Sequence, residues 1–347
     1  MGFMNNHQHS EYWFACRVIL ICCGWYAVSS GQSIINKWTL SHYPYPLTVT
    51  LSSLVNNAIF AIPLARITHV RSKPVSSTYL LRTIVPIASC RSIALASAFF
   101  GLWKVPVSYA QTVKATLPVF TVLATRFMNH EPQPAVVYAS LVPIVVGVVT
   151  ASLTEVSFDL IGLLASLFSV FLHAFINVLI KKVFDDTGMH PIALLCLSSK
   201  IAAIVLFPLW LLQDGRILLS QFIYGSTDET LPLPDLRFIG LLGLAGLTSF
   251  GQNLCAFLLI HQLTALSYAV ASATKRVAVI VLSLFIFQNP VSLVNCLGMA
   301  LAMVGMFAYN RAKDKGHGTK LLRKRDSGPL TAMTSSNSDA RLMLSVN

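Results

Sequence analysis

Long apolar segments recur along the whole chain, and they constrain the fold more than any other feature. A helix needs about 20 predominantly apolar residues to cross the hydrocarbon core of a bilayer. Only 11% of the 347 residues are charged, whereas soluble domains average about 25%. The sequence therefore predicts an all-α integral membrane protein with ten transmembrane helices, at approximately 14–37, 46–66, 79–102, 106–127, 134–153, 158–181, 190–213, 236–260, 263–287 and 291–310.

Positive charges are concentrated on one side of these predicted helices. Because cytosolic loops are enriched in Lys and Arg, we expect that side and both termini to face the cytosol. The cations follow even-numbered helices at Arg66, Arg71, Lys73, Arg82, Arg126, Lys181 and Lys182, and seven more lie between Arg311 and Arg325. The predicted organisation is a cytosolic N-terminus at 1–13, a first half at 14–153, a second half at 154–311 and a basic, disordered cytosolic tail at 312–347.

The basic block after the last apolar segment contributes much of the net charge of +12. Its position is typical of a cytosolic membrane flank. Nucleic-acid binding usually needs a face that combines basic and aromatic residues, and the sequence indicates none. No Arg-rich, Ser-rich transit pattern precedes the first predicted helix. We therefore expect a multi-pass membrane protein without a nucleic-acid partner, and import into plastids or mitochondria is disfavoured.

The two halves share spacings of Lys, Pro and Gly, although chance matches of such common residues are the alternative. Fifteen residues separate Pro132 from Gly147 and Pro290 from Gly305, and nine separate Lys37 from Pro46 and Lys182 from Pro191. Five helices per half make the second copy inverted relative to the first. Inverted repeats are typical of secondary transporters, whose substrate site lies near the midplane at the repeat interface.

Lys275 and Arg276 lie side by side at the centre of the ninth apolar segment, SYAVASATKRVAVIVLSLFIF. Each cation there costs about 2.5–3.5 kcal/mol on insertion scales. Lys114 lies in the matching segment of the first half, SYAQTVKATLPVFTVL, and no Asp or Glu lies mid-span in any predicted helix. Three converging cations favour a bound phosphate dianion, which Arg grips bidentately and Lys contacts as a point charge. Pairing with carbonyl groups, or snorkelling, is the alternative.

Five further residues are weaker candidates for ligand contact. Tyr109 and Tyr268 each lie in an SYA motif, and each either contacts the ligand or packs. Gln252 and Asn253 lie mid-span in the eighth predicted helix, and Lys37 ends the first. Hydrogen bonds between helices are the alternative for the two amides.

A last group of polar residues leaves the choice between site and packing open. Arg91 and Lys200 either line the cavity or snorkel, with equal weight. His173 and Asn177 share one helix face, because they are four residues apart, and packing is favoured for both. Pro118, four residues after Lys114, predicts a kink.

No catalytic constellation, metal site or cofactor motif is indicated. G-x-S-x-G, H-E-x-x-H and the Gly-rich phosphate loops are all absent from the sequence. The seven cysteines lie in apolar segments without C-x-x-C spacing, which favours small hydrophobes over disulfides or zinc ligands. We therefore expect neither an enzyme nor a primary active transporter.

The segments KVPVSYAQTVKATLPVF, SYAVASATKRVAVIV with the NP that follows it, and NKWTL resemble the triose-phosphate and nucleotide-sugar translocators of the drug/metabolite transporter superfamily. The likeness is nearest to solute carrier family 35 subfamily E and covers about residues 14–315. It implies ten helices in two inverted halves, a phosphate grip at Lys114, Lys275 and Arg276, and exchange transport. The plastid members typically carry His and Thr where this chain has Leu95 and Ala98, and Tyr where it has Gln252.

The resulting hypothesis is an antiporter of phosphorylated organic anions, such as sugar phosphates or nucleotide sugars, in the Golgi or ER membrane. It would work by alternating access around a central cationic site. Its partners are the substrate, a counter-substrate such as inorganic phosphate, and the bilayer, while a homodimer is left open. One alternative is a transporter of a neutral or cationic solute with the same fold. Another is a non-transporting scaffold that recruits partners through the basic tail. A membrane-embedded enzyme is the least favoured.

Overall fold

The computed structural model describes residues 3–68, 76–129, 133–224, 235–263 and 265–326, and every regular element in these ranges is helical. The α-helices are α1 Phe3–His42, α2 Pro46–Ile67, α3 Ser77–Tyr79, α4 Val85–Lys104, α5 Val107–Lys114, α6 Leu117–Asn129, α7 Ala135–Leu153, α8 Leu160–Thr187, α9 Pro191–Trp210, α10 Arg216–Tyr224, α11 Leu236–Gln262, α12 Ala265–Phe287 and α13 Leu293–Asp326. Single π-helical turns at Leu80–Ile84 and Leu211–Gly215 connect α3 to α4 and α9 to α10.

The helices confirm the prediction of an all-α integral membrane protein. Within the described residues, nine helical segments are long and apolar enough to cross a bilayer. The segment predicted at 106–127 is instead divided into α5 and α6, of 8 and 13 residues. Pro118 explains the division, because proline lacks the N–H that a continuous helix needs and its ring clashes with the preceding turn. The count of ten crossings stays a prediction.

Helix extends beyond the predicted membrane segments on both sides. The span predicted at 14–37 lies within α1, which begins at Phe3 and whose apolar part runs from Cys16 to His42. The part of the predicted disordered tail that the structure describes is helical as far as Asp326, and the predicted division into halves and flanks stays a prediction. Extending an existing helix needs no new nucleation, so polar residues can continue a helix that hydropathy alone would end. Residues 327–347 lie outside the described residues, as do three residues used in the charge and repeat predictions, Arg71, Lys73 and Pro132.

The glycines that marked the repeat lie where α7 packs directly against α13. A Cβ added at Gly305 would lie 2.8 Å from the amide nitrogen of Ile144, and one at Gly298 would lie 2.7 Å from that of Ala151. A Cβ added at Gly147 would lie 2.4 Å from the amide nitrogen of Ala302 on α13. Small residues let helix backbones approach closely inside a membrane, where apolar burial gives little drive to associate. These positions hold the two predicted halves together.

Hydrogen bonds also join the first half to the second half near the start of α2. The amide and hydroxyl of Thr48 donate to Asp214 Oδ2 at 2.8 and 2.9 Å. The Tyr43 hydroxyl donates to Asp235 Oδ1 at 2.7 Å, and the Phe238 amide donates to the same oxygen at 3.0 Å. These two donors, the Tyr43 hydroxyl above all, lower the pKa of Asp235. Asp235 is thereby both the N-cap of α11 and a link between the halves.

Candidate functional site

A cavity of about 410 Å³ lies between helices of both halves, within the usual size of small-molecule sites. No Asp or Glu from the described parts of the chain lines it. Its basic lining residues are Arg91, Lys114, Lys275 and Arg276. The polar lining also includes one histidine and several amides, namely His173, Gln32, Asn36, Asn57, Gln111, Asn177, Gln252 and Asn253.

The break between α5 and α6 brings two of the predicted cations together. Pro118 cannot donate to the carbonyl of Lys114, which therefore has no partner within its own helix. Nη1 of Arg276, on α12, donates to that carbonyl instead. A guanidinium has five N–H donors, so the others remain available for a ligand. The lost helix hydrogen bond thus becomes an attachment point for a cation from the other half.

An aromatic pair supports Lys275 from outside the cavity. Its ammonium lies over the face of Trp25, 4.3 Å from the ring centroid. Tyr268 stacks on the same indole, with centroids 5.5 Å apart and an interplanar angle of 23°. Such a cation–π contact contributes about 0.5–2 kcal/mol. The ammonium of Lys275 is therefore stabilised in the cavity wall by an aromatic ring and not by a carboxylate of the described residues.

Three of the predicted site residues do not line the cavity. Tyr109 is 1% exposed and donates to Ser152 Oγ at 2.7 Å, within the core. Tyr268 contributes only through its stack on Trp25. Nζ of Lys37 donates to three carbonyl groups at the end of α4 and just beyond it, those of Leu102, Trp103 and Val105, at 2.9, 3.1 and 2.8 Å. Lys37 thus satisfies carbonyls that a helix end leaves unpaired.

The two predicted amides of α11 both line the cavity. Asn253 Nδ2 donates to Asn57 Oδ1 at 3.1 Å, and the Ser249 hydroxyl donates to the same oxygen at 3.2 Å. This contact ties α11 to α2 and orients Asn253, as expected for a buried amide between helices. Gln252 lines the cavity next to it.

The two cations whose position the sequence did not decide, Arg91 and Lys200, lie in different places. Arg91 lines the cavity, whereas Lys200 is exposed and lies outside it. His173 and Asn177, for which packing was favoured, also line the cavity. The His173 ring donates through Nδ1 to the carbonyl of Ser169 at 2.9 Å, because a carbonyl can only accept.

Sequence reasoning missed several polar lining residues, among them Asn57 on α2 and Gln111 on α5. Gln111 precedes Lys114 by three residues, which places both on neighbouring positions of one helix face. That spacing was a usable signal for Gln111. Asn57 gave no comparable signal, because an amide within a membrane helix most often pairs with another helix.

The lining suits the binding of an anion. Four cations share one cavity, and the described lining has no carboxylate to neutralise them. Charges inside a membrane domain are costly and usually mark a substrate or ion pathway. The hydroxyl and amide lining can solvate the rest of a polar ligand.

The sequence pattern of the Triose-phosphate Transporter family matches residues 16–310 of the chain. Over 291 residues the chain is 34% identical to phosphoenolpyruvate/phosphate translocator 3, chloroplastic, of Oryza sativa subsp. japonica, covering 83% of this chain and 72% of that protein. It is 30% identical over 290 residues to glucose-6-phosphate/phosphate translocator 1, chloroplastic, of Arabidopsis thaliana, covering 83% and 73%. It is also 30% identical over 291 residues to the triose phosphate/phosphate translocator, chloroplastic, of Zea mays, covering 84% and 70%.

Proposed function

The chain belongs to the triose-phosphate transporter family, and from that premise we propose that it exchanges phosphorylated organic anions for a counter-substrate across an endomembrane. It is a multi-pass membrane transporter and not an enzyme. Sugar phosphates are the substrates that its relatives' names favour, and nucleotide sugars are a further candidate class. Inorganic phosphate is the proposed counter-substrate.

The single observation that supports this function is the convergence of Lys114, Lys275 and Arg276 on one cavity. In the proposed bound state, Arg276 keeps its hold on the Lys114 carbonyl and offers its remaining N–H groups to phosphate oxygens. Lys114 and Lys275 add point charges from the two sides. Gln252 and Asn253 contact the organic part of the ligand.

Exchange follows from the same charges. Without an anion, three cations from two halves repel one another and disfavour closure of the cavity. With phosphate bound the repulsion is offset, and one half can rock against the other. The cavity would then alternate its access between the two sides of the membrane readily only with a ligand bound.

The organic part of the substrate would meet a different surface from that of the plastid relatives. Leu95 and Ala98 line the cavity where those proteins typically carry His and Thr. Apolar side chains there favour a ligand that does not need two hydroxyl or imidazole contacts at that position. We therefore propose that this chain and the plastid translocators recognise phosphate alike and the organic part differently.

Proteoliposomes test the proposal directly. Vesicles are loaded with inorganic phosphate or left empty, and uptake of labelled phosphate and of phosphate esters is measured. We expect uptake only into loaded vesicles, loss of uptake in Lys275→Ala, and normal uptake in Lys200→Ala, the matched cation outside the cavity. Equal uptake into empty and loaded vesicles would refute exchange, and transport that survives Lys275→Ala would favour the neutral-solute alternative.

The membrane that carries the protein stays a prediction, with Golgi or ER as the proposed location. The relatives named above are chloroplastic by name. A fluorescent fusion viewed with Golgi, ER and plastid markers distinguishes these locations, and labelling of tags at each end tests the cytosolic orientation of both termini.

A further inference from the structure

Arg91 is a fourth cation in the cavity, and the phosphate grip described above does not use it. It lies within the span Ser77–Lys104 and lines the cavity together with the other three. Its Nη1 donates to Ser198 Oγ at 3.3 Å, and no carboxylate among the described residues pairs with it. A neutral hydroxyl compensates little of the cost of a cation at that depth.

The charges do not balance with phosphate alone. A phosphate dianion compensates two of the four positive charges in a cavity whose described lining holds no carboxylate. A ligand with a further acidic group would carry three or four negative charges and match the lining. The fixed fork of a guanidinium suits a carboxylate or phosphate, because both oxyanions accept two parallel N–H bonds.

The surroundings of Arg91 connect it to the phosphate grip. His173 lies on α8, which packs against both α4, the helix of Arg91, and α5, the helix of Lys114. All three side chains line the same cavity. Asn177 lines the cavity one turn further along α8. A ligand anchored by phosphate at Lys114 could therefore present its other end to Arg91, His173 and Asn177.

We propose that Arg91 is a specificity-determining residue that selects phosphorylated ligands with a second acidic group, either a carboxylate or another phosphate. This inference rests on the proposed function, because it assumes that one phosphate is held by Lys114, Lys275 and Arg276. It names the substrate class more narrowly: anions with acidic groups at both ends, rather than phosphate esters of neutral polyols.

Matched ligand pairs test the inference. Glycerol 3-phosphate and 3-phosphoglycerate differ by one terminal carboxylate, and glucose 1-phosphate and glucose 1,6-bisphosphate differ by one phosphate. Binding to the purified full chain is measured by isothermal titration for the wild type, Arg91→Gln, Arg91→Lys and the control Lys200→Gln. We expect the wild type to bind a doubly acidic ligand about ten- to a hundredfold more tightly than its partner, as for a hydrogen bond to a charged group.

Arg91→Gln should reduce that ratio to near one, because it weakens the binding of the doubly acidic ligand much more than the binding of glycerol 3-phosphate. Arg91→Lys, which keeps the charge but not the fork, should retain part of the preference, and it remains informative if the glutamine variant does not fold. Preference in only one pair identifies the second group as carboxylate or as phosphate. Equal weakening of all ligands in Arg91→Gln, or a wild type without preference, would overturn the inference. Phosphate binding lost in Lys275→Ala would show that the proposed function nevertheless stands, whereas a wild type that binds none of these ligands would refute both.

Discussion

The two lysine-bearing segments share an SYA motif but fold differently. SYAQTVKATLPVF is divided into α5 and α6, whereas SYAVASATKRVAVIV lies in the uninterrupted 23-residue helix α12. Four residues after Lys114 the chain has Pro118, and four residues after Lys275 it has Val279, which carries a backbone N–H. The first segment therefore exposes a carbonyl at its lysine, and the second supplies Arg276 to bind it. This contact depends on the difference between the two segments.

The tyrosines of the two SYA motifs make different contacts because they lie at different distances along the chain from their lysines. Lys275 follows Tyr268 by seven residues, and Lys114 follows Tyr109 by five. At 100° per residue, seven positions return to nearly the same helix face, whereas five lead to a different one. Tyr268 and Lys275 accordingly share Trp25, and Tyr109 faces the core at Ser152.

The largest effect is expected from removing the contact that joins the two copies. Arg276→Gln removes both a ligand-facing charge and the partner of the Lys114 carbonyl. Because a hydrogen bond to a charged group contributes about 1.5–3 kcal/mol, we expect phosphate binding to weaken by about a hundredfold. Isothermal titration measures the loss, with Arg126→Gln, a cation outside the cavity, as the control. Equal affinities in the two variants would contradict the assigned role of Arg276.

Making the first copy resemble the second should have the next largest effect. Pro118→Ala restores an N–H four residues after Lys114, so α5 and α6 can join and the Lys114 carbonyl can be bonded within its own helix. We expect an unchanged or higher melting temperature, together with a phosphate exchange rate lowered about tenfold by a loss of about 1.4 kcal/mol of differential stabilisation. The matched control is Pro143→Ala, which removes a proline from inside α7. Equal slowing in both variants would mean that the break has no special role.

A smaller effect on phosphate affinity is expected from removing the aromatic ring that contacts Lys275. Trp25→Leu removes the ring under Lys275, and we expect phosphate affinity to fall about fivefold, corresponding to a cation–π contact of about 1 kcal/mol. Trp25→Phe keeps an aromatic face and should recover most of the affinity, which a purely structural role would not explain. Trp38→Leu, at a tryptophan that is 43% exposed, serves as the control. Identical affinities for the Leu and Phe variants would exclude the cation–π support.

Hydropathy predicted most of the helical frame, and charge selected three cations that share one cavity; their role in binding stays a prediction. Apolar length located the spans, and mid-span cations without acids identified Lys114, Lys275 and Arg276, which all line the cavity. The contacts of Lys37 were not predictable, because they depend on where the end of α4 lies in space. Trp25 gave no signal either, since an aromatic residue in an apolar helix is ordinary.

Two other features were available in the sequence but were not used. Pro118 predicted a kink, yet its consequence, a free carbonyl at the residue four positions earlier, follows from the same missing N–H. The unequal spacing of the tyrosines from their lysines likewise argued against equal roles. Residue spacing therefore predicts differences between the two segments that their shared SYA motif conceals.

The smallest effects are expected from the two tyrosine hydroxyls, and they sharpen the comparison most. Tyr109→Phe removes the hydrogen bond to Ser152, so we expect about 1 kcal/mol less unfolding free energy and unchanged phosphate affinity. Tyr268→Phe keeps the ring that stacks on Trp25 and should leave both quantities unchanged. Thermal unfolding with and without phosphate measures stability and binding in one series. If Tyr268→Phe instead weakened phosphate binding without changing stability, its hydroxyl would contact the ligand, and the second SYA motif would be part of the binding site while the first is part of the core.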